Sequence, residues 1–379
     1  MSERVQDYVV DYSVTKLEET ARTFRRLGEA YENASEPQKS GTGISKQLFL
    51  VADTLEECMT IQSANINISV KSADKNFIKE LKGKCIINGI RIKNTRLITG
   101  SNGKHQIILM ARSVGRGCIS VRRLLSVIAC CSNTGYYSDN MNRTIINEEF
   151  HQYVFVEEDR FRILSGVSRI NKGKERYNGD NFLMSHPDCG KAIAAIADGM
   201  GCGKRAFIES RMVIELIENC IKAGFDEKAA LELVNSAYIA GGGMGNPVTV
   251  DMSIIDCQTA YMHCIKLGAV STFIKRESCV EIIKSTTLPI GVLEKVDYDC
   301  TTKKLYDGDY VVMVSDGILD NFPCINKEEQ MADVISSISV REPNAMAAHI
   351  LKQSLSCHNN KPSDDCTVMV IGLFDTYRK

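Results

Sequence analysis

Residues 192–201, AIAAIADGMG, form an apolar run that ends in an aspartate and a glycine soon followed by two further glycines. Residues 310–317, YVVMVSDG, end in the same Asp-Gly pair, and two adjacent aspartates shortly precede the apolar run TVMVIGLF at 367–374. Short apolar runs bounded by turn residues are typical of buried β-strands. The sequence therefore predicts acidic side chains at the ends of several buried strands within one domain.

Four aspartates carry this prediction: Asp180, in the stretch NGDNF, and Asp198, Asp316 and Asp364 at the strand ends. Crowded carboxylates are costly to ionise unless a cation neutralises them. Oxygen ligands suit Mg²⁺ or Mn²⁺, and two such ions can activate a water for attack on phosphorus. Gly199 fits the same site, because a glycine lets a backbone carbonyl approach closely. One Asp-Gly pair alone is more often a turn, so the prediction depends on all the strand ends together.

Composition narrows the classes of function. The chain has 379 residues, which predicts two or three domains, and its 46 Lys and Arg balance 47 Asp and Glu. This balance argues against nucleic acid or an anionic membrane as the main partner. The 15 cysteines contain no C-x-x-C pair, which favours reduced thiols in a reducing compartment. The N-terminus lacks the apolar core of a signal peptide, and we expect a cytoplasmic protein or the soluble part of a membrane protein.

Three regions are predicted along the chain. Residues 1–46 contain an amphipathic helix over 13–35 and a polar linker, and the helix either packs on its own domain or serves dimerisation and regulation. Residues 47–145 are predicted to form a small α/β regulatory module, including a strand over 85–92. Residues 146–379 follow as the domain that carries the aspartates.

The secondary structure of this last region predicts its fold class. Helices are expected over 204–222 and from the N-cap Asp226 onwards, and strands follow in series, one of them over 261–275. Many consecutive strands with helices in blocks predict an α+β fold of antiparallel sheet flanked by helices.

Two other motifs suggest phosphate chemistry but fail on their residues. The stretch GMGCGKR at 199–205 resembles a nucleotide-binding phosphate loop, yet Asp198 replaces its first glycine and Arg205 replaces its Ser or Thr. The stretch CIINGIR at 85–91 has the spacing of a thiolate phosphatase loop, but its bulky apolar residues favour a buried strand.

The motifs GDNF at 179–182, IADGMGCG at 196–203, VSDGILD at 314–320 and DDCTVMV at 364–370 stand in the order seen in metal-dependent serine/threonine phosphatases of the 2C type. The segments between them closely resemble one bacterial branch, the stage II sporulation protein E family. The resemblance implies an αββα sandwich that binds two Mn²⁺ or Mg²⁺ ions. It implies that Asp198 bridges both ions, that Gly199 adds its carbonyl, that Asp316 and Asp364 hold one ion, and that Asp180 supports the other side.

The resemblance also implies a substrate. Members of this branch dephosphorylate a phosphoserine on an anti-anti-sigma factor, a STAS-type protein, and so activate a sporulation sigma factor. Their N-terminal regulatory region dimerises the phosphatase, and a membrane-spanning half precedes it. An alternative function is a catalytically weak phosphatase fold that only binds a sigma-regulatory partner. The sequence leaves open which basic residue holds the phosphate, and Lys174, Arg176 and Arg205 are the candidates. Cys202 replaces a common asparagine, which puts the hydrogen bonding of that loop in question.

Overall fold

The computed structural model describes residues 75–376 apart from 100–103, 116, 133, 140–141, 174–175, 187–189, 202, 223–224 and 240–244; before residue 75 it describes 21–22, 24–26, 28–29, 49, 52–53 and 70–71. Within this part of the chain, no helix has the length and apolar character needed to cross a membrane. The chain divides into two compact units. The small unit comprises Asn65–Arg160 with Asp188–Gly190, and the large unit comprises Met1–Ala64, Phe161–Pro187 and Lys191–Lys379.

The small unit is an antiparallel sheet with two helices. Its elements are β1 (Val70–Lys71), α1 (Lys75–Ile87), β2 (Ile90–Thr99), β3 (His105–Ser113), β4 (Ile119–Ser120), α2 (Val121–Ala129), β5 (Tyr136–Ser138), β6 (Ile145–Ile146) and β7 (His151–Glu157). The strand order is β1-β2-β3-β7-β5, with β4 and β6 paired separately. One apolar core, which includes Leu81, Leu124 and Phe155, joins the helices to the sheet.

The predicted strand over 85–92 is wrong in its first half. Helix α1 continues to Ile87, the chain turns at Gly89 with φ 75°, and strand β2 begins at Ile90. Short apolar runs carry no period that separates helix from strand. Cys85 is buried in the helix, and burial raises the pKa of its thiol to about 12, so it is unsuited to act as a thiolate nucleophile.

Strand β7 belongs to the small unit, although the sequence placed residues 146–379 in a single domain. Residues of β7 pair with β3 and with β5 in the small sheet, as in Phe155 with Ile107 and with Ser138. Its near-continuous apolar sequence is equally compatible with either sheet, and only the pairing decides.

The large unit contains the remaining elements. They are β8 (Phe161–Ile170), β9 (Asp180–Ser185), β10 (Lys191–Gly199), α3 (Lys204–Lys222), α4 (Glu227–Tyr238), β11 (Val248–Asp256), β12 (Tyr261–Leu267), β13 (Thr272–Arg276), β14 (Cys279–Ile283), β15 (Asp299–Lys304), β16 (Tyr310–Val314), α5 (Asp316–Asp320), α6 (Lys327–Ser337), α7 (Pro343–Cys357) and β17 (Cys366–Asp375). Helix α3 has its predicted bounds. Asp226 caps α4 as predicted, since its carboxylate accepts the Ala229 N–H at 2.8 Å.

These elements form four layers, so the predicted αββα sandwich is confirmed. One antiparallel sheet has the order β15-β12-β11-β10-β9 and the other β14-β13-β16-β17-β8. One apolar cluster packs α3 and α4 on the first sheet, a second fills the space between the sheets, and a third packs α5, α6 and α7 on the second sheet.

The predicted strand over 261–275 is two strands in different sheets. Strand β12 lies in the first sheet and β13 in the second, and the chain crosses between them at Gly268. This glycine has φ 65°, and a Cβ here would lie 2.4 Å from Pro289 Cγ. The strands before and after Gly268 are both rich in residues that favour β-structure, so the sequence pattern did not show where the chain passes from one sheet to the other.

Described residues of the N-terminal helix pack on the large unit. The Phe24 ring contacts the Phe225 ring edge-on with centroids 5.9 Å apart, and the Arg26 guanidinium donates to Asn219 Oδ1 at 2.8 Å. These contacts attach the described part of the helix to the rest of the large unit.

A buried ion pair lies between the two sheets. Lys266 Nζ lies 3.0 Å from Asp251 Oδ2, and these side chains are 1% and 2% exposed. The ammonium also donates to Thr272 Oγ1 at 2.7 Å and to the Val270 carbonyl. Lys266 thereby ties β12 of one sheet to β11 beside it and to β13 of the other sheet.

We expect Lys266→Met to lower the free energy of unfolding by about 3–5 kcal/mol, because it leaves the Asp251 carboxylate buried and uncompensated. Urea unfolding measures this, with Lys352→Met on the exposed face of α7 as the matched control, expected within about 0.5 kcal/mol of the unaltered chain. The double variant Asp251→Leu/Lys266→Met should recover most of the loss. A double variant no more stable than Lys266→Met would contradict the explanation that the loss comes from the uncompensated Asp251 carboxylate.

Candidate metal centre

Strand alternation places the candidate aspartates in the space between the sheets. Along β10, Ile193, Ala195 and Ala197 pack against the helices, whereas Ala192, Ala194 and Ile196 pack against the opposite sheet. Successive side chains of a strand point to opposite faces, so Asp198 shares the face of Ile196. Both faces of β10 are buried, so the sequence shows one continuous apolar run rather than an alternation.

The neighbouring strand brings a second carboxylate to the same point. Asp180 begins β9 and is the direct antiparallel partner of Asp198 in the register. Directly opposed residues have Cβ atoms about 4.5–5.5 Å apart. A Cβ added at Gly179 would lie 3.5 Å from both Asp198 Oδ1 and Asp365 Oδ2, so these oxygens flank the glycine.

The opposite sheet contributes the remaining acids. Asp316 begins α5 directly after β16, and Asp364 and Asp365 precede β17, the neighbour of β16. Gly317 permits a close approach, because a Cβ there would lie 2.2 Å from the Asp365 carbonyl oxygen. The structure therefore brings Asp180, Asp198, Asp316 and Asp364 to one end of the sandwich.

Neither glycine of the two Asp-Gly pairs has the positive φ of a left-handed turn. Both positions need glycine because a Cβ atom would clash with neighbouring backbone. Gly199 is the last residue of β10, and a Cβ there would lie 2.5 Å from the Ala206 carbonyl oxygen at the start of α3. Gly317 lies within α5. The sequence therefore selects glycine at both positions because the backbone of another element passes close by.

The carboxylates are held in an environment that disfavours their charge. Desolvation raises the pKa of Asp180, with the Thr367 and Ser315 hydroxyls acting against it. Desolvation also raises the pKa of Asp198, and the negative charge of Asp180 raises it further. Asp316 is exposed at the rim, and partial desolvation, then the Asp320 charge, raises its pKa. Opposed acids thus share one poorly solvated site.

The donor set fits a hard divalent cation. Asp180 is 1% exposed, and its Oδ2 has no hydrogen-bond partner among the described residues. Carboxylates whose charge is disfavoured, together with an orphaned buried oxygen and the carbonyl of Gly199, are the ligand type that Mg²⁺ or Mn²⁺ takes. Over the described ranges, no three His, Cys, Asp or Glu side chains already converge tightly enough to hold an ion. The assignment of Asp180, Asp198, Gly199, Asp316 and Asp364 as ligands stays a prediction.

A small cavity of about 40 Å³ opens beside this site, lined by Asp198, Asp251, Val270, Ser315 and Asp316 among others. The Asp251 carboxylate that lines this cavity is the one that pairs with Lys266. Its second oxygen, Oδ1, has no hydrogen-bond partner in the described part of the chain. The polar strip between the sheets therefore continues from the carboxylates to the buried ion pair.

Sequence analysis missed several residues that shape this site. Asp365 is 4% exposed and accepts backbone N–H groups from Lys172 and Gly179, yet only its neighbour Asp364 was singled out. Asp251 and Lys266 interrupt apolar strands, and a charge within an apolar strand was the available signal. Ser315 and Thr367 had no distinguishing pattern, because their roles depend on how β16 and β17 pair.

Of the three phosphate-binding candidates, the structure describes Arg176 and Arg205. The Arg205 side chain is engaged on α3, where its Nε donates to Glu209 Oε1 at 2.9 Å. The Arg176 guanidinium lies 6.0 Å from the centre of the Tyr177 ring. Lys174 and Cys202 lie outside the described residues.

Comparisons with known proteins agree with this architecture. Residues 188–374 match the family model described as Stage II sporulation protein E. Stage II sporulation protein E of Bacillus subtilis (strain 168) is 32% identical over 212 residues, which are 56% of this chain and 26% of that protein. Its counterpart in Priestia megaterium is 30% identical over 210 residues, 55% of this chain and 36% of that protein. The chain thus spans about a quarter to a third of the length of these curated relatives.

Among solved structures, one similar chain is the PP2C phosphatase domain with a fragment of the regulatory domain of the cell fate determinant SpoIIE from Bacillus subtilis. Its TM-score is 0.61 at 24% identity, over 88% of this chain and 97% of that chain. Residues 188–374 are therefore similar to the stage II sporulation protein E family, and this part of the chain has the fold of a PP2C-type serine/threonine phosphatase domain.

Proposed function

We propose that this protein is a Mn²⁺- or Mg²⁺-dependent phosphatase that hydrolyses phosphoserine on an anti-anti-sigma factor of the STAS type. The observation that supports it best is the convergence of Asp180, Asp198, Asp316 and Asp364 from two sheets at one site, in which Asp180 and Asp198 are poorly solvated. The substrate class follows from the family resemblance. On this proposal the protein acts in the cytoplasm, as a soluble protein or as part of a longer membrane-tethered one, and dimerises through its N-terminal helix.

Two bound cations would supply positive charge to the phosphoryl group and an activated water for in-line attack. Asp198 would serve both ions on this proposal, and its position opposite Asp180 in one sheet, facing the second sheet that carries Asp316 and Asp364, supports that role. The hydroxyls of Ser315 and Thr367 oppose the rise in the pKa of Asp180 that burial causes. Asp365 is not assigned as a ligand in this scheme; its two oxygens accept the backbone N–H groups of Lys172 and Gly179.

The alternative function is a phosphatase fold that binds a sigma-regulatory partner with little turnover. The complete set of candidate ligands argues against it, because four acidic side chains brought together repel one another, and only a bound cation gives that arrangement a use. The two functions predict different results for the same substrate.

We expect Asp198→Asn to abolish Mn²⁺-dependent phosphate release from a phosphoserine-bearing STAS-type protein, by more than about 100-fold. Replacing a residue that only orients a metal ligand typically lowers metal affinity or activity 10–100-fold. Asp198 is proposed to contact both ions, so its loss should cost more. Steady-state phosphate release, with and without Mn²⁺, measures the effect.

The matched control for this experiment is Asp333→Asn, the same chemical change at an exposed position on α6. It should release phosphate like the unaltered chain. An Asp198→Asn variant as active as this control would sink the proposed site. A chain that binds the phosphoprotein tightly but releases no phosphate at any Mn²⁺ concentration would favour the binding function.

We also expect the metal-free protein to lose stability as the pH rises. Because the folded-state pKa values of Asp180 and Asp198 are raised, the folded chain keeps protons that the unfolded chain releases. Their contribution is fully present below the ordinary carboxyl pKa of about 4 and is lost as the pH rises towards the folded values. The slope is up to about 1.4 kcal/mol per pH unit for each carboxyl.

Thermal unfolding in chelator between pH 5 and pH 8 measures this slope. Saturating Mn²⁺ should remove most of it, and Asp198→Asn should flatten it without metal. A metal-free protein that gains stability over this pH range would contradict the prediction.

A further inference from the structure

Lys172 lies in the loop between β8 and β9, and one buried carboxylate holds both ends of that loop. Asp365 Oδ1 accepts the Lys172 N–H at 2.7 Å, and its Oδ2 accepts the Gly179 N–H at 2.6 Å. The Asn178 amide braces the loop internally by donating to Asn171 Oδ1 at 3.0 Å. The backbone of Lys172 is therefore fixed relative to Asp364 and Asp365.

The Lys172 ammonium lies at the rim of the carboxylate site. Its Nζ is 3.4 Å from Asp364 Oδ1, and the two side chains are 44% and 46% exposed. This is longer than a charge-assisted hydrogen bond of 2.7–2.9 Å, and exposed ion pairs contribute little to stability. Desolvation dominates the raised pKa of Asp316, and the Lys172 charge acts against it. The ammonium therefore lies close enough to act electrostatically on two candidate ligands, Asp364 and Asp316.

A phosphoserine substrate needs positive charge at this rim. It carries about −1.5 to −2 charges at neutral pH, and the acidic site would repel it. Lysine binds phosphate as a point charge, and a half-exposed ammonium is accessible from solvent. The Arg205 guanidinium lies instead on α3, where it pairs with Glu209.

We propose that Lys172 contacts the phosphoryl group of the substrate: its ammonium leaves Asp364 and donates to a phosphoryl oxygen, while Asp365 keeps the loop in place. This inference rests on the proposed function and assigns its phosphate contact. Lys172 binds substrate, and Asp365 is a positioning residue.

Kinetics on p-nitrophenyl phosphate with the full chain and Mn²⁺ test this proposal. Lys172→Met should raise KM about 10- to 100-fold, the usual worth of a hydrogen bond to a charged group. The turnover number should change less than about 3-fold, as expected when a contact is equally strong in the ground and transition states. Lys172→Arg keeps the charge and should stay within about 5-fold of the unaltered KM.

Lys352→Met, which removes an exposed lysine from α7, is the matched control and should leave KM unchanged. Mn²⁺ affinity is measured for each variant. Equal KM values for Lys172→Met and the control would overturn the proposal. So would a rise in KM that weaker Mn²⁺ binding accounts for in full, since Lys172 would then act only through Asp364.

A binding measurement separates failure of this proposal from failure of the proposed function. If the unaltered chain turns over neither p-nitrophenyl phosphate nor the phosphoserine-bearing STAS-type protein, the proposed function fails, and calorimetric titration of inorganic phosphate into the Mg²⁺-loaded protein still tests Lys172. Binding that weakens at least about 10-fold in Lys172→Met supports the contact. Equal binding in both proteins, or no phosphate binding by the unaltered chain, overturns it.

Discussion

The mutual repulsion of carboxylates at one end of the sandwich is the constraint on which the rest of this structure depends. Asp180 and Asp198 face each other across a strand pair, and the second sheet adds Asp316, Asp364 and Asp365. Burial raises the pKa values of Asp180 and Asp198, so both carboxyl groups are harder to ionise than in water. Such an arrangement is costly in isolation, and a divalent cation is the group that makes it favourable.

The remainder of the large unit provides a rigid frame for that cluster. Three apolar layers hold the two sheets and their helices together. The buried pair of Asp251 and Lys266 in the first sheet bonds Thr272 of the second sheet next to the cavity. Because each acid is attached to a strand or to the residue that adjoins it, its position follows from the packing of the whole sandwich. Sites on rigid elements keep their geometry better than sites on loops.

Hydrogen bonds of the buried Asp365 extend this frame to a loop. One carboxylate anchors both ends of the segment that carries Lys172, and the same segment leads into Asp180. A change at Asp365 therefore affects a proposed metal ligand and a proposed phosphate contact together. Buried polar groups that are fully bonded are typically the ones that specify a unique arrangement.

The sequence by itself determined the fold class and four of the acids, because strands that run into aspartates leave a pattern along the chain. It also determined helix α3 and the cap of α4, which depend on local periodicity and on one side chain. Tertiary structure alone decided that β12 and β13 belong to different sheets, that β7 joins the small unit, and that Lys172 reaches Asp364. These features depend on contacts between residues far apart in the chain. Apolar strands buried on both faces carry no period that records which neighbour they will meet.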